Sequence, residues 1–204
     1  MSKISPCLWF DTEAEAAARF YVETFRACGQ TASLGDTLLY GEAFPDREGS
    51  VLTIGFTLAG QDFIALNGGS SFKITPAVSL FVSCADQAEI DAFWERFLDG
   101  GTVQQCGWIT DRFGLSWQIV PAALKRMTHD PDKARAARVM QAMMGMVKLD
   151  LASLEAAYRG EAGRERGRAV SPLCPPRSRW KRPQPPRGRF HRMGGPIRPG
   201  RARA

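Results

Sequence analysis

Two histidines, His129 and His191, are all that the 204-residue chain offers as imidazole ligands or bases. A side-chain metal site needs imidazole, thiolate or carboxylate groups converging from several elements. His129 stands before Asp130-Pro131, a loop signal, and His191 lies among Arg, Pro and Gly. A structural or solvated His129 is therefore expected, and no metal site. Asp111 beside Arg112 has the chemistry of a general acid or base. It also precedes Phe113-Gly114, where an Asp side chain ordinarily closes a turn, and the turn role is preferred. The cysteines, Cys7, Cys28, Cys84, Cys106 and Cys174, are odd in number and form no C-x-x-C pair. That pattern argues against a disulfide framework and a zinc knuckle and fits a reducing compartment. Cys7 and Cys84 read as small strand hydrophobes, and pairing of Cys106 or Cys7 with His129 in space is a minor alternative. No G-x-G-x-x-G follows a strand and no P-loop motif occurs, so no nucleotide-type cofactor is expected. Asn67-Gly68-Gly69 either brings backbone donors to a ligand or, the preferred reading, closes a strand with a tight turn.

The elements that must position these groups come in a repeated order. Ile4 to Phe10 reads as a strand. Thr12 with Glu15 has the spacing of a capping box, and Ala17, Phe20, Tyr21, Phe25 and Cys28 then form one apolar stripe ending at Gly29. Strands are expected over 34–40, 51–58 and 61–66, with Leu52, Ile54, Phe56 and Leu58 sharing one face and Ala59-Gly60 as a turn. The order recurs with a strand over 77–84 and a cap at Asp86 and Glu89. Ile90, Phe93, Trp94, Phe97 and Leu98 carry the next helix, which ends at Gly100-Gly101, before short strands over 102–105, 108–112 and 115–120. A duplicated βαβββ module is the economical reading. Each sheet presents one face to its helix, and the opposite faces are expected to curve as a mixed sheet around a cavity.

Helical periodicity follows Pro121, over 132–147 and 149–158. Met140, Met143, Met144 and Met146 share a stripe that suits core or subunit packing. The charge is unevenly placed. Residues 161–204 carry twelve Arg and one Lys against two Glu, so residues 1–160 hold a net −5 within an overall +6. The expected organisation is an acidic α+β body over 1–158, with modules at about 3–67 and 77–120 and C-terminal helices over 121–158. A disordered Arg/Pro/Gly-rich tail should occupy 159–204. No run of eighteen apolar residues is present, so neither a membrane span nor a membrane partner is expected. The opening residues are too short and too soon acidic for a signal peptide, which leads to a cytoplasmic expectation. Nucleic acid is expected to bind only non-specifically, through the tail.

Strand alternation then selects a candidate pocket. Ser5, Cys7 and Trp9 fall opposite Leu8 and Phe10, and Ser116 and Gln118 fall opposite Trp117 and Ile119. The second set of each strand is the more apolar and reads as core. Trp9 then supplies an aromatic wall, and Ser116, Gln118, Asn67 and Ser79 a few orienting hydrogen bonds. With Ser5, Cys7 and Trp108 these residues form the expected ligand-binding set. The alternative is that the polar groups satisfy one another inside a filled interior.

Several phrases also resemble a known family. They are Ile4-Ser5-Pro6-Cys7-Leu8-Trp9-Phe10, Ala65-Leu66-Asn67-Gly68-Gly69, Cys106-Gly107-Trp108 through Asp111-Arg112-Phe113-Gly114, Ser116-Trp117-Gln118-Ile119-Val120, and the run from Arg138 to Asp150. Over about residues 3–158 the chain resembles the PhnB-like proteins labelled 3-demethylubiquinone-9 3-methyltransferase. These sit in the vicinal oxygen chelate superfamily with glyoxalase, bleomycin-resistance proteins and extradiol dioxygenases. The resemblance implies paired βαβββ modules and a homodimer. Metal-dependent members carry a His or Glu on each of four strands, at positions matching Ser5, Ala65 or Asn67, Ala77 and Gln118 here. None of these is a His or a carboxylate, which implies that the chelate site is lost. The resulting expectation is a metal-independent domain binding an unknown small molecule. The alternatives are an enzyme of the labelled class, transferring methyl to a quinone-type substrate, or another superfamily reaction such as a lyase or dioxygenase. A third is nucleic-acid binding through the tail.

Overall fold

The computed structural model describes residues 3–161. The basic tail, expected to be disordered, lies outside the described residues from 162 onward. β1 (Cys7–Phe10), α1 (Ala14–Ala27), β2 (Ala32–Leu39), β3 (Val51–Leu58) and β4 (Gln61–Asn67) form the first module. β5 (Ser79–Cys84), α2 (Gln87–Leu98), β6 (Thr102–Val103), β7 (Trp108–Thr110) and β8 (Ser116–Pro121) repeat the order. Each module makes its own four-stranded mixed sheet, ordered β1-β4-β3-β2 and β5-β8-β7-β6. β1 runs parallel to β4 and β5 parallel to β8, while the remaining neighbours are antiparallel. The α+β class and the duplicated module stand. The sheets remain two, and no closed barrel forms.

Two strands start later than their hydrophobic runs suggest. Pro6 has no N–H to give a ladder, so β1 begins at Cys7, with the Pro6 carbonyl accepting from Ile64 N at 3.0 Å. Before β5, Val78 N bonds back to Thr75 O at 3.3 Å, and Pro76-Ala77 form a turn rather than strand.

The two helices begin differently. α2 is capped locally, as its sequence predicts. Asp86 accepts from Glu89 N at 2.9 Å, and Glu89 Oε2 accepts from Ala85 N at 2.7 Å. The expected Thr12–Glu15 box does not form, because α1 starts at Ala14 and Glu13 at its cap makes no side-chain cap bond. Asn67 supplies the cap instead, its Oδ1 accepting from Ala14 N at 2.8 Å. The parallel pairing of β1 and β4 sets Asn67 beside Phe10, where the chain turns into α1.

Alternation in the strands sends Leu8, Phe10, Ile54, Phe56, Leu58 and Phe63 inward from one sheet, and Val82, Ile109, Trp117 and Ile119 from the other. Both sets join α1 and α2 in one core. Trp117 is central to it, stacked on Phe97 at 4.3 Å and edge-on to Tyr21 at 5.3 Å. Such aromatic contacts add to the area buried. Because the helix-facing sides of both sheets share this core, their other faces are turned away from it.

α3 (Ala123–Thr128), α4 (Lys133–Met144) and α5 (Leu151–Arg159) follow. They close over a smaller core of Val120, Leu124, Met127, Val139, Leu149 and Leu154. α4 is shorter than its methionine stripe implies and stops at Gly145, leaving Met146 and Val147 in the following turn. α5 includes Arg159 and is ended by Gly160 at φ 82°, so the helical part runs one residue past 158. These helices are tied to the second module. The Gln87 side chain donates to Leu149 O at 3.3 Å and accepts from Leu151 N at 2.8 Å. Cys106 N and Gly107 N donate to Met146 O and Val147 O at 2.8 and 2.7 Å. Among the described residues no helix is long and apolar enough to cross a membrane.

Candidate functional site

The register of the second sheet sets three rows on its open face. Ser79, Ser116 and Thr110 are aligned across β5, β8 and β7, and the next row out holds Phe81, Gln118 and Trp108. Ser83 and Val120 belong to the third. The polar row is largely self-satisfied: Thr110 Oγ1 accepts from Gln104 Nε2 at 2.6 Å and lies 3.4 Å from Ser116 Oγ. In the second row Gln118 Nε2 donates to Ser79 Oγ at 2.8 Å. The amide is thereby held in place, and among the described residues its Oε1 accepts no hydrogen bond.

Above the second and third rows lies a pocket of ≈ 420 Å³, within the range of small-molecule sites. Phe81, Trp108 and Gln118 form its floor and walls. α3 contributes Leu124, Lys125 and Thr128, its C-cap contributes His129, and Cys106 and Met143 close the side. α3 is positioned by Leu124 and Met127 entering the smaller core. At its C-terminal turn Thr128 Oγ1 donates to Leu124 O at 2.9 Å and His129 Nδ1 to Lys125 O at 2.9 Å. Cys106 holds a left-handed φ of 61°, and its Sγ lies 3.7 Å from Met144 Sδ. Burial pushes the Cys106 thiol up, which works against a thiolate nucleophile.

The expected site residues divide among different places. Ser79, Trp108, Ser116 and Gln118 meet on the second sheet's open face. Cys7 and Trp9 lie on the first sheet. Cys7 is exposed rather than a buried strand hydrophobe, because β1 is an edge strand and Cys7 points away from the core. Trp9 packs on the linker between the modules, edge-on to Phe72 at 5.0 Å, with Nε1 donating to Gly69 O at 2.7 Å. Gly68 makes this possible, since a Cβ there would sit 2.1 Å from the indole. Asn67 is committed on both sides of its amide, to Ala14 N and, at 2.9 Å, to Val51 O. Ser5 precedes β1. Asp111 serves its turn and more. Its carboxylate accepts from Phe113 N, Leu115 N and Trp117 Nε1 at 2.8, 3.1 and 2.8 Å.

Alternation beyond Ser79 would have added Phe81 and Ser83 to the expected site. Lys125, Thr128, His129 and Met143 carry no local signal, since only the packing of α3 and α4 brings them over the sheet. Cys106 and His129 do line one pocket, which sequence distance obscures.

The positions matched to the superfamily's chelating residues do not suit a divalent metal. Asn67 and Gln118 are neutral amides bonded to protein partners, and Ala77 has no donor side chain. Among the described residues no cluster of three His, Cys, Asp or Glu could hold a metal ion.

Residues 2–120 match the family described as 3-demethylubiquinone-9 3-methyltransferase. A comparison with curated proteins finds no match. Among solved structures, the PhnB protein from Bacillus cereus is 32% identical, covering 59% of this chain and 100% of its own, with a TM-score of 0.53. Protein PA1353 from Pseudomonas aeruginosa is 19% identical over 59% of this chain and 98% of its own, with a TM-score of 0.48. A glyoxalase/bleomycin resistance protein from Albidiferax ferrireducens is 15% identical over 57% and 95%, with a TM-score of 0.38.

Proposed function

The chain belongs to the 3-demethylubiquinone-9 3-methyltransferase family, the PhnB-like branch of the vicinal oxygen chelate superfamily, and from that premise we propose that it binds a small molecule without a metal. The proposed site is the pocket between the second sheet and α3. The observation that carries this reading is the cross-strand row Phe81, Gln118 and Trp108, two aromatic walls flanking an amide whose oxygen is free to accept. Apolar walls with a few placed polar groups are what a small-molecule site requires. Trp9, Cys7 and Ser5 on the first module are proposed to contribute only if a second copy of the chain covers this face. Met140 and Met144 are 44% and 62% exposed on α4, and we place the contact of a homodimer there.

The test is a thermal-shift screen of small aromatic and quinone-like compounds against the full chain, since a ligand that binds only the folded state raises its stability. Hits should weaken in Trp108→Ala and Gln118→Ala, while both variants keep the parent's circular dichroism. Hits unaffected by both would place the site elsewhere. Zinc, nickel, iron or manganese copurifying in stoichiometric amount would overturn metal independence. Light scattering of a Met140→Glu, Met144→Glu double variant should report monomers if α4 carries the dimer contact.

Methyl transfer is a second reading, favoured by the family's description alone. It predicts transfer of label from S-adenosylmethionine to a demethylated quinol in the presence of the purified chain.

A further inference from the structure

The pocket over the second sheet differs in charge from the body that holds it. Residues 1–160 carry a net −5, yet among the described residues no carboxylate lines this pocket, and its titratable side chains are Lys125, His129 and the Cys106 thiol. Three other hollows among the described residues contain acids. One of ≈ 510 Å³ between the modules includes Glu89, one of ≈ 560 Å³ beside α1 includes Asp11, Glu15, Asp46 and Glu48, and one of ≈ 430 Å³ at Trp9 includes Asp11 and Glu13. Lys125 has no ion-pair partner among the described residues, whereas Lys148 is paired with Asp91 at 2.6 Å.

Shape adds a second restriction. Phe81 and Trp108 stand on β5 and β7, one strand to either side of Gln118. Two strand spacings are about 10 Å, enough for one flat ring system to enter edge-on between the two aromatic side chains. Its polar edge would meet the Gln118 amide, and its far end would reach Lys125 and His129 on α3.

From these observations, and resting on the pocket proposed above, we infer that the ligand is a planar aromatic acid. The ring lies between Phe81 and Trp108, and the anionic group is held at the Lys125 and His129 rim. Hydrogen bonds to charged groups are stronger than neutral ones, and the absence of a competing carboxylate leaves Lys125 available for one.

Two isosteric probes separate charge from shape: 2-naphthoate and its neutral amide, 2-naphthamide, titrated calorimetrically into the full chain. The parent should prefer the carboxylate by about tenfold, the size of one charge-assisted bond. Lys125→Met, an exposed position that keeps the apolar stem, should erase that preference, so that the two probes bind the variant with equal affinity. Trp108→Ala should weaken both probes, and Trp108→Phe should restore part of the loss. Equal affinity for the two probes in the parent, with both lost in Trp108→Ala, would overturn the acid assignment while the pocket stands. Failure of both probes to bind, or binding indifferent to Trp108→Ala, would overturn the pocket itself and the acid assignment with it.

Discussion

In the first module the N-terminus of α1 is capped from across the sheet by Asn67, the last residue of β4. In the second, Pro121 fills the matching end of β8 and offers no side-chain acceptor, so α2 carries its own cap in Asp86. The β3–β4 turn of the first module is made by backbone alone, with Ala59 and Gly60 at φ 46° and 84°. The β7–β8 turn of the second is held by the buried Asp111 carboxylate. The open faces diverge too. Gln118 stands where the first sheet has Ile64, since these pair with Phe81 and Cys7 on the respective first strands. Among the described residues, helices that follow β8 roof the second face. One skeleton therefore tolerates exchange of its caps and turns between local and distant residues, while the pocket depends on what the chain adds after the repeat.

The two turns should differ most under mutation. Asp111→Ala strands three buried or part-buried donors, and urea unfolding should show a loss of about 3 kcal/mol or more. Changes at Ala59 that keep the turn conformation should cost far less. Asp111 also gives the second module a pH signature. Burial holds its carboxyl above the ordinary value of 3.8, against the pull of the Trp117, Phe113 and Leu115 donors. A raised folded-state value means that the folded chain binds the proton more tightly. That stabilisation is full below 3.8 and is lost as the pH rises through the folded value. The stability of the parent relative to Asp111→Asn should accordingly fall from pH 4 to pH 7. A constant difference would show that the carboxyl titrates normally.

The caps come next. Asn67→Ala removes a buried cap and the bond to Val51 O together, and should cost about 2 kcal/mol in chemical unfolding. Asp86→Ala removes an exposed local cap and should cost about 1 kcal/mol. Equal losses would mean that the tertiary cap adds nothing over the local one.

Gly68→Ala should destabilise by about 1–3 kcal/mol through overpacking and change the near-ultraviolet signal of Trp9, because its Cβ would enter the indole. No glycine of the second module meets an indole in this way.

The smallest effect is chemical. Cys7 on β1 is exposed and Cys84 on β5 is buried, with burial as the first cause of its thiol being pushed up to about 12. Alkylation of the native chain followed by mass spectrometry should modify Cys7 and spare Cys84 until the protein unfolds. Early labelling of Cys84 would show local opening of the second sheet.

The hydrophobic periods were enough to read α2, β3, the duplicated order of elements and the inward set of Ile54, Phe56, Trp117 and Ile119. These depend on side-chain alternation and helical spacing, which are properties of neighbouring residues. The role of Asp111 in its turn was legible for the same reason, since an Asp side chain reaches backbone donors two and four residues on. Alternation was enough to set Ser116 and Gln118 on the face opposite Trp117 and Ile119, where strand pairing aligns them with Ser79, Thr110, Phe81 and Trp108. What only the tertiary structure decided was which residues meet across long stretches of chain. Asn67 looked like a ligand donor until parallel pairing set it against the start of α1, and Trp9 looked like a pocket wall until the Gly68-Gly69 linker lay over it. Lys125 and His129 became pocket residues only because α3 packs back through Leu124 and Met127. Local spacing determines an element and its faces, but which face meets which is settled by the burial of apolar surface over the whole chain, and no short window of sequence contains that.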